Sequence, residues 1–80
     1  MRLHLGGHLA WYDPQKRSEI QVRVPRATTL ADLLRDLDIP VAEIAIAAVN
    51  GKAVDLLTAR VSDADRVDLF PPIGGGSRDV

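Results

Sequence analysis

Few residues in this chain are of types that do chemistry, and most of those do not assemble into a recognisable set. Cysteine is absent, which excludes disulfide staples, Cys-based zinc sites, a thiol nucleophile and a cysteine persulfide. His4 and His8 share strand parity and could face one way, a first requirement of a metal site. Gly6-Gly7 stands between them and breaks that geometry, and no third ligand accompanies them, so both read as surface histidines. Asp63, Asp65 and Asp68 lie close together, but the EF-hand spacing with its glycine and distal glutamate is missing. They read as turn and solvent-face residues. No nucleophile has a positioned base, and no phosphate loop sits at a strand–helix junction, so the chain is not expected to be an enzyme. What remains is Gly74-Gly75-Gly76, directly after Phe70-Pro71-Pro72-Ile73. Alone, a glycine run is a flexible linker. Its other use is to present a bare backbone that takes whatever φ/ψ a partner imposes.

Eighty residues make one domain, and a domain of this size buries only about 60% of the surface its unfolded chain exposes. Lys and Arg number 10 against 11 Asp and Glu, so no basic stripe exists to collect phosphates, and nucleic acid is not an expected partner. No apolar run approaches the roughly 20 residues of a membrane span. Met1-Arg2 opens directly into strand-like alternation, without a signal or transit segment. The expected location is cytoplasmic.

The elements that must position the glycine run follow from periodicity. Leu3, Leu5 and Leu9 alternate with Arg2, His4 and His8, which predicts a half-buried strand kinked or bulged at Gly6-Gly7. Trp11 to Arg17 reads as a loop punctuated by Asp13-Pro14. With one Trp, one Tyr and one Phe in the chain, Trp11 and Tyr12 are expected to cap the core. Ile20, Val22 and Val24 predict a second strand ending at Pro25, antiparallel to the first. Leu30, Leu33, Leu34 and Leu37 mark one face of a helix, with Thr29 as N-cap and Asp32 near the positive helix end. Pro40 predicts its end by Asp38-Ile39. The apolar run Ile44 to Val49, Asn50-Gly51 and Lys52 to Val54 form a predicted hairpin, since Asn-Gly suits a type I′ turn. Leu56-Leu57 should pin a loop to the core. Val67 and Leu69 mark a last strand closed by Pro71-Pro72. The order strand, strand, helix, strand, strand, strand predicts an α+β fold, a sheet with one helix across one face.

That order, with Val49-Asn50-Gly51-Lys52 and the stretch from Asp63-Ala64-Asp65-Arg66-Val67 through Phe70-Pro71-Pro72-Ile73-Gly74-Gly75-Gly76, resembles the MoaD/ThiS family of the ubiquitin-like superfold. The Thr29-Leu30-Ala31-Asp32-Leu33-Leu34 helix opening is also similar. The resemblance implies a ubiquitin-like β-grasp domain over residues 1–72, a mixed sheet of four to five strands with one helix, and a flexible diglycine tail over 73–80. It implies a sulfur carrier that binds no cofactor itself. A ubiquitin-activating-type adenylating enzyme uses ATP to adenylate the carboxylate of Gly76, and sulfur then replaces AMP to leave a thiocarboxylate. A sulfur-acceptor enzyme receives it for molybdopterin, thiamine or related biosynthesis. No cysteine of the carrier is needed, which agrees with the composition. Pro71-Pro72 would be a stiff spacer. Phe70 and Ile73 flank the prolines, and two readings of Phe70 stand: with Pro71, Pro72 and Ile73 it forms an exposed apolar contact for the activating enzyme, or it packs into the sheet. Phe-Pro-Pro looks more like the small subunit of molybdopterin synthase than like ThiS.

The sequence departs from the family pattern by continuing past Gly76 with Ser77-Arg78-Asp79-Val80. A carboxylate held in the Gly76–Ser77 peptide bond cannot be adenylated, so the reading requires cleavage between Gly76 and Ser77, for which the resemblance implies a JAMM-type protease. The functional pair is then Gly75-Gly76, with Gly74-Gly75 as the alternative register. Two other functions are compatible with these residues. One is a protein modifier whose activated Gly76 is captured by a lysine. The other is a non-covalent β-grasp interaction module whose tail stays intact.

Overall fold

The computed structural model describes residues 1–72. Its strands are β1 (Arg2–Leu5), β2 (Glu19–Gln21), β3 (Thr28–Thr29), β4 (Ile46–Val49), β5 (Lys52–Val54), β6 (Arg60–Val61) and β7 (Arg66–Phe70), with the helix α1 (Leu30–Asp36) after β3. Five strands form one mixed sheet in the order β2-β1-β7-β4-β5. The central pair β1 and β7 is parallel, in the register Leu3↔Val67 and Leu5↔Leu69. The flanking pairs are antiparallel. Side chains alternate across a pleated strand, so this register brings Leu3, Leu5, Val67 and Leu69 to one face, with Ala47 beside them. There they join Leu30, Leu33 and Leu34 of α1 in one buried cluster. Burying each such leucine is worth about 1.5–3 kcal/mol. Arg2, His4, Arg66, Asp68 and Phe70 fall on the opposite, open face. The α+β expectation, a sheet of five strands with one helix, is what the chain forms.

Local signals explain most element ends. The Thr29 hydroxyl accepts from the Asp32 amide at 3.2 Å, satisfying one orphan donor of the first helical turn. Leu30 and Ala31 amides donate instead to Ala59 O and Leu56 O, so the 55–59 loop closes the helix start. At the other end Asp38 takes a left-handed φ of 59°. Ile39 N then donates to Leu34 O at 2.9 Å and Asp38 N to Arg35 O at 3.1 Å, the paired bonds of a Schellman ending. The helix thus stops on a local motif two residues before Pro40. Asn50 (φ 52°) and Gly51 (φ 85°) both occupy the left-handed region, as a type I′ hairpin requires.

Four expectations change. β1 stops at Leu5 and a 3-10 helix over Gly7–Tyr12 replaces the bulged continuation. Side chains three apart stack in a 3-10 helix, so Leu9 and Tyr12 face the core while His8 and Trp11 face out. Trp11 is therefore 71% exposed and does not cap the core, with Lys16 Nζ over its ring at 5.7 Å. The strand expected to run to Val24 is regular only to Gln21, although Val24 is buried. Leu56 packs on the core but Leu57 is exposed. The two-stranded ladder of β3 and β6 was not expected at all.

Candidate functional site

Pro71 and Pro72, the last described residues, follow the C-terminal end of β7, and that end is closely packed. Leu69 O accepts from Gly6 N at 2.8 Å and Phe70 O from Ala45 N at 2.9 Å, so the last two carbonyls of the strand are held from opposite sides. A Cβ at Gly6 would stand 2.9 Å from both Leu69 O and Phe70 Cδ1, and one at Gly7 would stand 2.7 Å from Pro71 Cγ. Gly7 also has φ +52°, a conformation that costs other residues energy. The glycine pair therefore makes the seat on which Phe70 and Pro71 rest. Its geometry follows from β1 ending at Leu5: the chain turns at Gly6-Gly7 into the 3-10 helix directly beside β7.

On the open face Phe70 remains 40% exposed, its ring tilted against the His4 ring at a centroid distance of 5.8 Å. Phe70, Pro71 and Pro72 line an open apolar hollow with Ala45 and Ile46. Of the two readings of Phe70, the exposed one describes its ring, while its backbone is fixed in the sheet. His8 Nε2 lies 2.8 Å from Glu43 Oε1, tying the 3-10 helix to the turn that leads into Ala45.

The start of β7 is built from different parts. Asn50 Oδ1 accepts from Arg66 N at 2.9 Å, and Asn50 Nδ2 donates to Asp65 Oδ1 at 2.9 Å. Asp65 also accepts from Ser62 N at 2.8 Å. The Asn50 and Ser62 donors hold its carboxyl below the usual carboxylate range. Asp63 accepts from Val24 N at 2.8 Å and lies 3.4 Å from the Met1 ammonium, which donates to Val22 O. Those donors likewise lower its carboxyl, the Val24 amide most. Asp68 faces His4 Nδ1 at 3.7 Å and Arg66 Nε at 3.7 Å. These aspartates thus take turn and open-face positions, as their spacing suggested.

Asp13 follows the same pattern. It is buried and accepts from Arg17 Nε at 3.0 Å, Arg17 N at 2.9 Å and Gln15 N at 3.1 Å. The Arg17 side chain first, then these amides, lowers its carboxyl to about 2. Sequence reading treated Asp13 as turn punctuation only.

The structure brings Phe70, Pro71 and Pro72 together at the exit; Ile73, Gly74, Gly75, Gly76 and Ser77 lie outside the described residues. His4 and His8 do not converge on a third ligand. Among the described residues no group of three or more His, Cys, Asp or Glu gathers to hold a metal ion. No helix there is long and apolar enough to cross a membrane. Sequence reasoning missed the seat formed by Gly6, Gly7 and Ala45. Two adjacent glycines in a strand-like run were its one signal, since such glycines often mark close backbone approach.

A mixed five-stranded sheet around a parallel central pair, one packed helix and a last strand that hands directly to a glycine-rich end define a ubiquitin-like β-grasp protein. The ThiS family model matches residues 9–76, and the chain belongs to that family, of MoaD/ThiS-type sulfur carriers. The crystal structure of a thiamine biosynthesis protein (ThiS) from Geobacter metallireducens superposes with a TM-score of 0.57 over 95% of this chain and 100% of that one, at 23% identity. At that identity the likeness speaks for the fold. No curated protein sequence matches the chain.

Proposed function

We propose that the chain is a sulfur carrier whose working group is the carboxylate of Gly76, with residues 1–72 as the recognised domain and 73–80 as its processed tail. A peptidase of the JAMM type hydrolyses the Gly76–Ser77 bond. A ubiquitin-activating-type enzyme then joins a Gly76 carboxylate oxygen to the α-phosphorus of ATP, releasing pyrophosphate. Hydrosulfide attacks the activated carbonyl, displaces AMP and gives up its proton, leaving the thiocarboxylate. The carrier supplies the acyl group and the docking surface, including Phe70, Pro71, Pro72 and Ile73. The donors that stabilise the tetrahedral oxyanion belong to the partner, so the carrier is the substrate of this chemistry and catalyses none of it.

The observation that carries this reading is the seated exit of β7 in a chain whose family match runs on to Gly76. An end that is to enter another protein's active site benefits from a fixed origin, because its reach is then defined by the few residues beyond the seat. The ThiS likeness favours thiamine biosynthesis as the destination of the sulfur, while Phe70-Pro71-Pro72 keeps molybdopterin biosynthesis as the alternative.

The test is to incubate a chain ending at Gly76 with extract of its native cells, ATP and sulfide, and to separate products on a mercury-containing gel that retards thiocarboxylates. The ATP-dependent appearance of a retarded species, absent for Gly76→Ala, is the expected result. The full-length chain should yield it only after loss of residues 77–80. No retarded species from the Gly76-ended chain would overturn the carrier reading, and covalent ladders on other proteins would replace it with the modifier reading.

A further inference from the structure

The exit seat contains a residue with no role in the fold's hydrophobic core, yet it combines two features that each disfavour a side chain. Gly7 has φ +52°, and a Cβ built on it would lie 2.7 Å from Pro71 Cγ and 3.3 Å from Pro71 Cδ. Either feature alone is met by glycine in ordinary turns. Together they put bare backbone under the first residue after β7, far away in sequence. Gly7 is exposed, so close packing of an interior does not explain the contact. Proline has a fixed φ, so where its ring rests sets the direction in which the following chain departs.

We propose that Gly7 is a positioning residue for the tail: the Pro71 ring rests on its bare backbone, and this contact fixes the angle at which the chain leaves β7 toward Gly76. The inference rests on the sulfur-carrier reading for its consequence and on the geometry alone for its mechanism. Gly6 holds the strand by its amide to Leu69 O, and the His8–Glu43 contact holds the 3-10 helix that begins at Gly7. Gly7 sits between these two fixed points, so a side chain there has to be accommodated by Pro71 moving away.

The experiment compares wild type, Gly7→Ala, Pro71→Ala and the double variant, each as the full chain for geometry and as the Gly76-ended chain for conversion. Nuclear Overhauser contacts between Gly7 Hα and the Pro71 ring, and the residual dipolar coupling of the Cα–Hα bond at position 71, report the exit angle. Wild type should show the contact. Gly7→Ala should lose it and change the coupling while Leu3, Leu69 and other core signals stay in place. Conversion by native-cell extract with ATP and sulfide should then fall in kcat by up to about 100-fold with little change in KM, since misplacing a reacting group by about 1 Å costs that much. A merely structural defect would instead scale with the unfolded fraction.

The double variant should fall little further in kcat than Gly7→Ala, because both changes remove the same contact, and fully additive losses would overturn the proposal. If Gly7→Ala fails to fold, Pro71→Ala alone decides: a changed coupling at position 71 supports the proposal, and an unchanged one overturns it. Retention of the contact and of kcat in Gly7→Ala also overturns it. If even the wild-type chain is not converted, the carrier reading falls, and the couplings still decide whether Gly7 sets the exit.

Discussion

The two ends of β7 differ in whether side chains join the backbone in holding them. At its start, backbone bonds from Arg2 N to Asp65 O and from Asn50 N to Arg66 O are joined by side-chain oxygens of Asn50, Asp63 and Asp65 on the amides of Arg66, Val24 and Ser62. At its end, glycine backbone and the Ala45 amide take up the carbonyls of Leu69 and Phe70, and no side chain intervenes. A carboxylate latch satisfies several donors at once and stabilises a turn, but it fills the space around it with polar atoms. A glycine seat does the converse. It brings backbone against backbone and leaves the Phe70 and Pro72 side chains exposed. Side-chain oxygens therefore reinforce the strand where it begins, and backbone amides alone hold its carbonyls where it ends.

The strand between the two ends supplies the largest effect. Leu69 is fully buried and its carbonyl belongs to the exit seat, so Leu69→Ala should cost about 2–5 kcal/mol and loosen both ends together, as read by urea unfolding. Gly6→Ala comes next. Its Cβ would meet Leu69 O, which cannot move without breaking the ladder, so a loss of about 1–3 kcal/mol is expected from overpacking, with chemical-shift changes confined to the exit. Gly51→Ala should cost about 1 kcal/mol, because φ 85° disfavours any Cβ. Its open surroundings predict no change at the exit, which would sharpen the separation of the two ends.

Acid should divide the ends as well. The Asp63 and Asp65 carboxyls are lowered in the folded chain. A lowered carboxyl favours the folded state above its unfolded value, and that contribution is lost as pH falls through the lower folded one. For Asp13 this window runs from 3.8 down to about 2, and for Asp63 and Asp65 it opens at the same upper edge. Side-chain amide exchange at Asn50 should therefore accelerate as pH falls below 3.8 and Asp65 takes up its proton, before backbone exchange at Gly6, whose bond to Leu69 has no titrating atom. Loss of both protections in step would show that the two ends are not independent.

Much of this architecture was legible because its signals are local. Asn50-Gly51, the Thr29 cap and the leucine spacing of α1 each carry their own geometry, and together they prescribe the order of elements around a single sheet. Leu9 misled for a physical reason: it fits the two-residue period of Leu3 and Leu5, and equally the three-residue period it shares with Tyr12. Only the tertiary contact of Gly6-Gly7 with β7 decides between them, and that decision also turns Trp11 outward. β3 and β6 are two residues each, too short for periodicity to show. At the candidate site, Phe70-Pro71-Pro72 could be singled out from the sequence, whereas the seat beneath it could not. A glycine records the absence of a side chain without naming the neighbour that needs the space.

The central claim is that this seated exit presents an end that is cut and loaded with sulfur. Its most direct test is the intact mass of untagged protein purified from its native cells. The account predicts a chain ending at Gly76, part of it with one oxygen replaced by sulfur. A chain that still ends at Val80 under every growth condition would contradict it.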